Sequence, residues 1–131
     1  MIVTDVSTAD RVISVRIGGT PKPEAIIEML GALNTLVEQN PSFGVLIDET
    51  ELQPSFVGPS DIGKFVDAWR RGSALRSTRI AVFVRNPAMY GLNRMFQGLA
   101  GLDGEGHMNV FTDRAPAAAW LVTPQPRPAR P

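Results

Sequence analysis

The stretch Ile80-Ala81-Val82-Phe83-Val84-Arg85-Asn86-Pro87 decides how this chain folds. Five consecutive apolar residues, three of them β-branched, suit a strand covered on both faces, as strands of a parallel sheet are. Asn86-Pro87 then announces a helix. The asparagine can accept from a free first-turn amide, and proline at the first helical position forfeits no hydrogen bond. A buried strand leading straight into a helix is half of a βαβ unit, so parallel neighbours are expected on either side.

Those neighbours can be read outward from it. Upstream, Gly44-Val45-Leu46-Ile47-Asp48 has the same buried-strand character. Ser60 is the expected cap of the helix between the two strands, with Asp61 in its first turn; Ile62, Phe65, Val66 and Trp69 form its apolar face and Gly72 its end. Before Gly44, Ile26, Met29, Leu30, Leu33 and Val37 recur at spacings of three and four, predicting a helix opened by Thr20-Pro21 and stopped by Asn40-Pro41. The β-branched runs Ile2-Val3 and Val12 to Ile17, with a polar turn between them, predict an antiparallel hairpin ended by Gly18-Gly19. Downstream, Leu92, Met95, Phe96 and Leu99 predict a core-facing helix broken by Gly101 and Gly104. Met108 to Phe111 predicts a last strand, and an Asp113-capped helix follows with Ala117, Trp120 and Leu121. The expected fold class is therefore α/β: one mixed, mostly parallel five-stranded sheet, about four helices and an N-terminal antiparallel hairpin.

Bulk composition agrees with one globular domain. At 131 residues, 44% apolar and 20% charged, the chain can bury a core unaided. It has no cysteine, which excludes disulfides, thiolate catalysis and zinc–thiolate sites. Met1 to Asp5 lacks a basic region followed by an apolar one, and no apolar run approaches the ~18 residues of a spanning helix. A cytoplasmic protein without a transmembrane segment is the expectation. Residues 1–63 hold nine acids and three bases, residues 64–131 four acids and ten bases, so the charge is split although its sum is zero. Neither a basic domain nor aromatic platforms are present, so no nucleic-acid partner is expected.

The segments Arg79–Val84, Pro87–Phe96, Val110–Asp113 and Ala118–Leu121 together resemble SpoIIAA-like proteins. These belong to the STAS group (sulfate transporter and anti-sigma-factor antagonist) and have lipid-binding CRAL-TRIO relatives. The resemblance spans about residues 2–122 and is closest between 79 and 121. It implies a STAS-like domain over 1–122, a Pro-rich flexible tail over 123–131, and a non-enzymatic regulatory or protein-interaction role. The alternative it implies is a carrier of a small molecule or lipid, apolar or anionic, held in the crevice at the strand carboxyl ends. Antagonists of the group are phosphorylated on a serine in an Asp-Ser-Ser-Gly setting where the helix after the third strand begins. Here Gly58-Pro59-Ser60-Asp61 stands there, making Ser60 the candidate phosphorylation site, with an acid after the serine and none before it.

Residues that could do chemistry are few. His107 is the only histidine and has no nucleophile-elbow sequence to serve. Asp48, Glu49 and Glu51 read as solvated loop acids, so no metal is expected there. No cofactor motif is present. In a parallel sheet, strand carboxyl ends and the helix starts after them share one edge. Ser60, Arg85, Asn86, Tyr90 and Arg94 are therefore the candidate anion- or ligand-binding set, with Arg85 also able to pair with Asp48. Trp69, Met89, Met95 and Phe96 could line an apolar cavity, although ordinary core is the simpler reading. An enzyme would need a cleft holding a perturbed titratable group. The partner, protein or small ligand, is not named by the sequence, and a homodimer is compatible with it.

Overall fold

The computed structural model describes residues 1–53, 58–102 and 107–122. The proposed tail over 123–131 and the predicted break at Gly104 lie outside these residues. Strands β1 (Ile2–Ser7) and β2 (Val12–Gly19) form the hairpin; α1 (Pro23–Gln39), β3 (Gly44–Leu52), α2 (Pro59–Arg71) and a short α3 (Ser73–Arg76) follow. The chain continues through β4 (Ile80–Phe83), α4 (Pro87–Ala100), β5 (Met108–Phe111) and α5 (Arg114–Val122). The five strands lie in chain order, β1-β2-β3-β4-β5, antiparallel between β1 and β2 and parallel elsewhere. The α/β class, the hairpin and the mostly parallel sheet are as the sequence predicted.

Sequential order has a consequence for layering. Each parallel crossover steps to the next strand in the same direction, so right-handed crossovers stack α1, α2 and α4 on one face. Alternating strand residues Ile13, Val15, Ile17, Val45, Ile47, Ile80, Val82, Met108 and Val110 point into this larger core. The opposite face carries a smaller cluster in which Ala117 and Leu121 of α5 cover Leu46, Ala81 and Phe83.

Local chemistry moved three predicted boundaries. Helix α1 starts at Pro23, not Thr20-Pro21, because a residue preceding proline is driven to extended backbone; Lys22 has φ −68° and ψ 149°. Thr20 therefore caps nothing. Helix α2 starts at Pro59 with Gly58 as its boundary, which leaves Ser60 exposed at the second helical position rather than at the cap. The Asp61 carboxylate accepts from the Gly58 amide at 2.9 Å and does the capping instead. Strand β3 runs on to Leu52, so the long polar connection expected from Glu49 is shorter than predicted. The unforeseen α3 turns back after Gly72, and its Leu75 amide donates to Asn34 Oδ1 of α1 at 2.9 Å.

Asn86 caps α4 as predicted, accepting from the Ala88 amide at 2.7 Å, and Gly101 ends it in the left-handed region at φ 74°. The helix is rolled relative to expectation. Met95 and Leu99 are 42% and 52% exposed, whereas Gln97 is 2% exposed. Gln97 Nε2 donates to the Met108 carbonyl at 2.9 Å and Arg94 donates to its Oε1 at 3.1 Å. That bond ties α4 towards β5 and turns the Met95–Leu99 flank outward.

Candidate functional site

The site begins at an irregularity in β3. Arg16 pairs with Asp48 and Gly18 with Glu51, so Glu49 and Thr50 together face the single residue Ile17. This is a β-bulge, a device that re-aims a side chain at the end of a ladder. Asp48 Oδ1 holds it, accepting from the Thr50 amide at 2.9 Å and the Thr50 hydroxyl at 2.7 Å. Because β4 ends at Phe83, opposite Asp48, β3 has no parallel partner on that side beyond this point. Val45, Ile47 and Glu49 share one face by alternation, and the extra residue returns Leu52 to the same face.

Glu49 thereby enters the larger core beside a cavity of about 90 Å³ bounded by the sheet, α1, α2 and α4. Its walls are apolar almost throughout: Ile17, Ile47 and Val82 from the sheet, Met29 and Leu30 from α1, Phe65 and Trp69 from α2, Met89 and Phe96 from α4. Asn93, one turn after Met89, donates to Glu49 Oε1 at 2.6 Å and to the Met89 carbonyl at 2.9 Å. Burial pushes the Glu49 carboxyl up from 4.5 to about 7; the Asn93 bond pulls against this, and nearby Asp48 adds to it. The indole of Trp69 packs edge-on against Phe96, ring centroids 6.2 Å apart at 79°. Trp69 is 5% exposed, yet its Nε1 has no hydrogen-bond partner among the described residues. An apolar cavity whose wall includes a carboxyl and an amide is the usual make-up of a small-molecule site.

The predicted site residues are all exposed, and each makes its own local contacts or none. Arg85 is exposed and lies over the Phe83 ring, 5.8 Å from its centroid. It does not take Asp48, whose Oδ2 is 3.5 Å from Arg114. Asn86 is occupied as a cap, Tyr90 is 38% exposed, and exposed Arg94 is bound to Gln97. Ser60 is exposed on the first turn of α2. Among the described residues no hydrogen bond or ion pair joins the side chains of Ser60, Arg85, Asn86, Tyr90 and Arg94 to one another. Of the four residues considered for an apolar cavity, Trp69, Met89 and Phe96 do line one and Met95 does not. Glu49 is half-buried on a strand rather than solvated in a loop. The parity it shares with Val45 and Ile47 was the available signal, and only the extension of β3 makes it count.

Among the described residues no cluster of three potential metal ligands occurs, and no helix is long and apolar enough to cross a membrane. Comparison with family models, curated proteins and solved structures returned no match to this chain.

Proposed function

We propose that this is a binding module of the SpoIIAA-like type that holds a small, largely apolar molecule between its sheet and helices α1, α2 and α4. The observation that carries this reading is the pairing of an apolar cavity with polar groups the fold leaves unsatisfied. A protein interior is ordinarily packed to crystal density, and a buried N–H without a partner costs about 1–3 kcal/mol. A core built for stability alone would fill such a space and pair the indole. The three methionines in the wall, Met29, Met89 and Met108, can change rotamer cheaply and admit ligands larger than the resting volume. Ligand binding would bias the packing of α2 and α4, and so the exposed surfaces these helices offer to a protein partner. Denaturing extraction of native protein, followed by mass spectrometry, tests the proposal. A stoichiometric small molecule supports it, and saturable binding of small apolar probes by an empty protein does so as well. Absence of both refutes it.

One observation favours a second reading, an acid–base enzyme. A carboxyl titrating near 7 in an apolar cleft is a perturbed group of the kind general acid–base catalysis uses. Among the described residues the cavity wall offers no second titratable residue beside it, so binding is the reading preferred. Regulation through Ser60 has exposure in its favour, but a phosphate there would meet the neighbouring Asp61 carboxylate already seated on the helix start. Phosphate transfer from a kinase to Ser60, lost in Ser60→Ala, would establish it.

A further inference from the structure

The edge of the sheet at β1 has a use of its own, independent of the cavity. We infer that this chain pairs with a second copy through β1, antiparallel about a two-fold axis at Thr4, so that two five-stranded sheets become one continuous sheet.

The two edges of the sheet are finished differently. At β5 the outward backbone groups are already taken: Gln97 Nε2 donates to the Met108 carbonyl at 2.9 Å, and Asn109 Oδ1 accepts from the Val110 amide at 3.0 Å. That strand is also only four residues long. Strand β1 is six residues long and pairs with β2 without a bulge from Ile2 to Ser7. It contains neither lysine nor proline, the residues that commonly keep an edge strand from pairing. Val3 and Val6 within it, and Met1 before it, are exposed.

Hydrogen-bond alternation fixes which groups are free. Met1 and Gly18 exchange both of their backbone bonds, at 3.1 and 2.8 Å. In an antiparallel pair, residues that exchange bonds in this way alternate with residues that point away from the partner strand. Val3, Asp5 and Ser7 therefore bond to β2. The amides and carbonyls of Ile2, Thr4 and Val6 point outward, where nothing meets them among the described residues.

A second copy supplies the complement. A two-fold axis perpendicular to the sheet brings the same strand up antiparallel and keeps both helix layers on one side. Outward groups meet only where even-numbered residues stand opposite even-numbered ones. With the axis at Thr4, Ile2 meets the partner's Val6, Thr4 meets the partner's Thr4, and every outward group is bonded. With the axis at Val3, Val6 is left over. With the axis at Asp5, Ile2 is left over and two carboxylates stand directly opposite each other, which is destabilising. The Thr4 register sets Asp5 against the partner's Val3 instead. Ile2, Thr4 and Val6 also share the face of Ile17, Val15 and Ile13, which they oppose on β2. On that face an apolar groove of about 260 Å³ runs between β1 and α1, walled by Ile2, Thr4, Ala25, Ala32 and Leu36. In the joined sheet the partner's Val6 stands beside Ile2 at its rim. Pairing through one short strand sits at the small end of specific interfaces, which bury ~1,200–2,000 Å², so the dimer is a reversible one.

Sedimentation equilibrium of the full chain, from micromolar to millimolar concentration, is the first readout. The weight-average mass should rise with concentration towards twice that of the chain. Thr4→Pro removes an outward amide at the axis and leaves the ladder to β2 intact, and Thr4→Lys sets two like charges face to face there. Each should weaken dimerisation at least tenfold while thermal unfolding of the dilute protein stays within a few degrees of the parent. If Thr4→Pro fails to fold, Thr4→Lys decides. Because the chain has no cysteine, a single one reports a single contact. In a hydrogen-bonded pair the Thr4 Cα atoms lie ~5.5 Å apart, so Thr4→Cys should link into a dimer under copper–phenanthroline. Val6→Cys, whose two copies are displaced ~14 Å along the strands, should not. A chain that stays monomeric at millimolar concentration overturns the inference, as does a dimer unaffected by either Thr4 variant. Linkage of Val6→Cys as fast as that of Thr4→Cys overturns the register and the axis at Thr4 with it.

Discussion

Replacing Glu49 by glutamine should make the protein more stable at pH 8 and leave it nearly unchanged at pH 4. The Glu49 carboxyl is pushed up from 4.5 to about 7 in the folded chain, chiefly by burial. A group whose folded value is raised binds its proton more tightly in the native state than in the unfolded one. Its favourable contribution is present in full below about 4.5 and is lost as pH rises through about 7. At about 1.4 kcal/mol per pH unit between 4.5 and about 7, the loss is bounded at ~3 kcal/mol. Glutamine cannot ionise and can still accept from Asn93 through its carbonyl oxygen, so Glu49→Gln removes the titration with little change of shape. Urea unfolding followed by tryptophan fluorescence at pH 4, 5, 6, 7 and 8 gives the stability of both proteins by linear extrapolation. Titrations elsewhere are common to the two and cancel in the difference. The variant should gain on the parent steadily from pH 5 and reach an advantage of about 2–3 kcal/mol by pH 8. A difference flat within ~0.5 kcal/mol over that range would mean that Glu49 is solvated, and the cavity argument would lose its polar anchor.

Three further expectations are simpler to check. Trp69→Ala deletes the largest side chain of the cavity wall and should cost ~3–5 kcal/mol in chemical unfolding; a near-neutral result would place Trp69 at the surface. Gln97→Ala should cost about 2–3 kcal/mol, since it opens a space and strands the Met108 carbonyl at the outer strand. An effect below 0.5 kcal/mol would mean that α4 is not tied to β5 by this bond. Asn86→Ala removes the cap of α4 and should lower stability by ~1 kcal/mol, with Asn86→Asp close to the parent; equal loss in both would point to something other than capping.

Much of the architecture was legible because it rests on local rules. Buried apolar runs at Val45–Ile47 and Ile80–Val84, an asparagine–proline start at Asn86 and a glycine stop at Gly101 each act over a few residues. Where two local rules competed, reading by pattern failed. The helix start read at Thr20-Pro21 lies at Pro23 instead, because the extended backbone forced on Lys22 delays it. Ser60 was the expected cap of α2, and the Asp61 carboxylate does the capping instead.

The α/β class and the apolar faces of α1 and α2 thus followed from the sequence by itself, since periodicity and capping depend on neighbours along the chain. The site did not, because it is made of neighbours across it. Whether Glu49 lies in solvent or in the core depends on a bulge defined against β2, on β4 ending one pair earlier and on Asn93 arriving from α4. The roll of α4, which buries Gln97 and exposes Met95, is likewise decided by a carbonyl on β5. A carboxyl in an apolar chamber contradicts the local hydrophobic pattern, and only three separate elements closing around it give that carboxyl its environment.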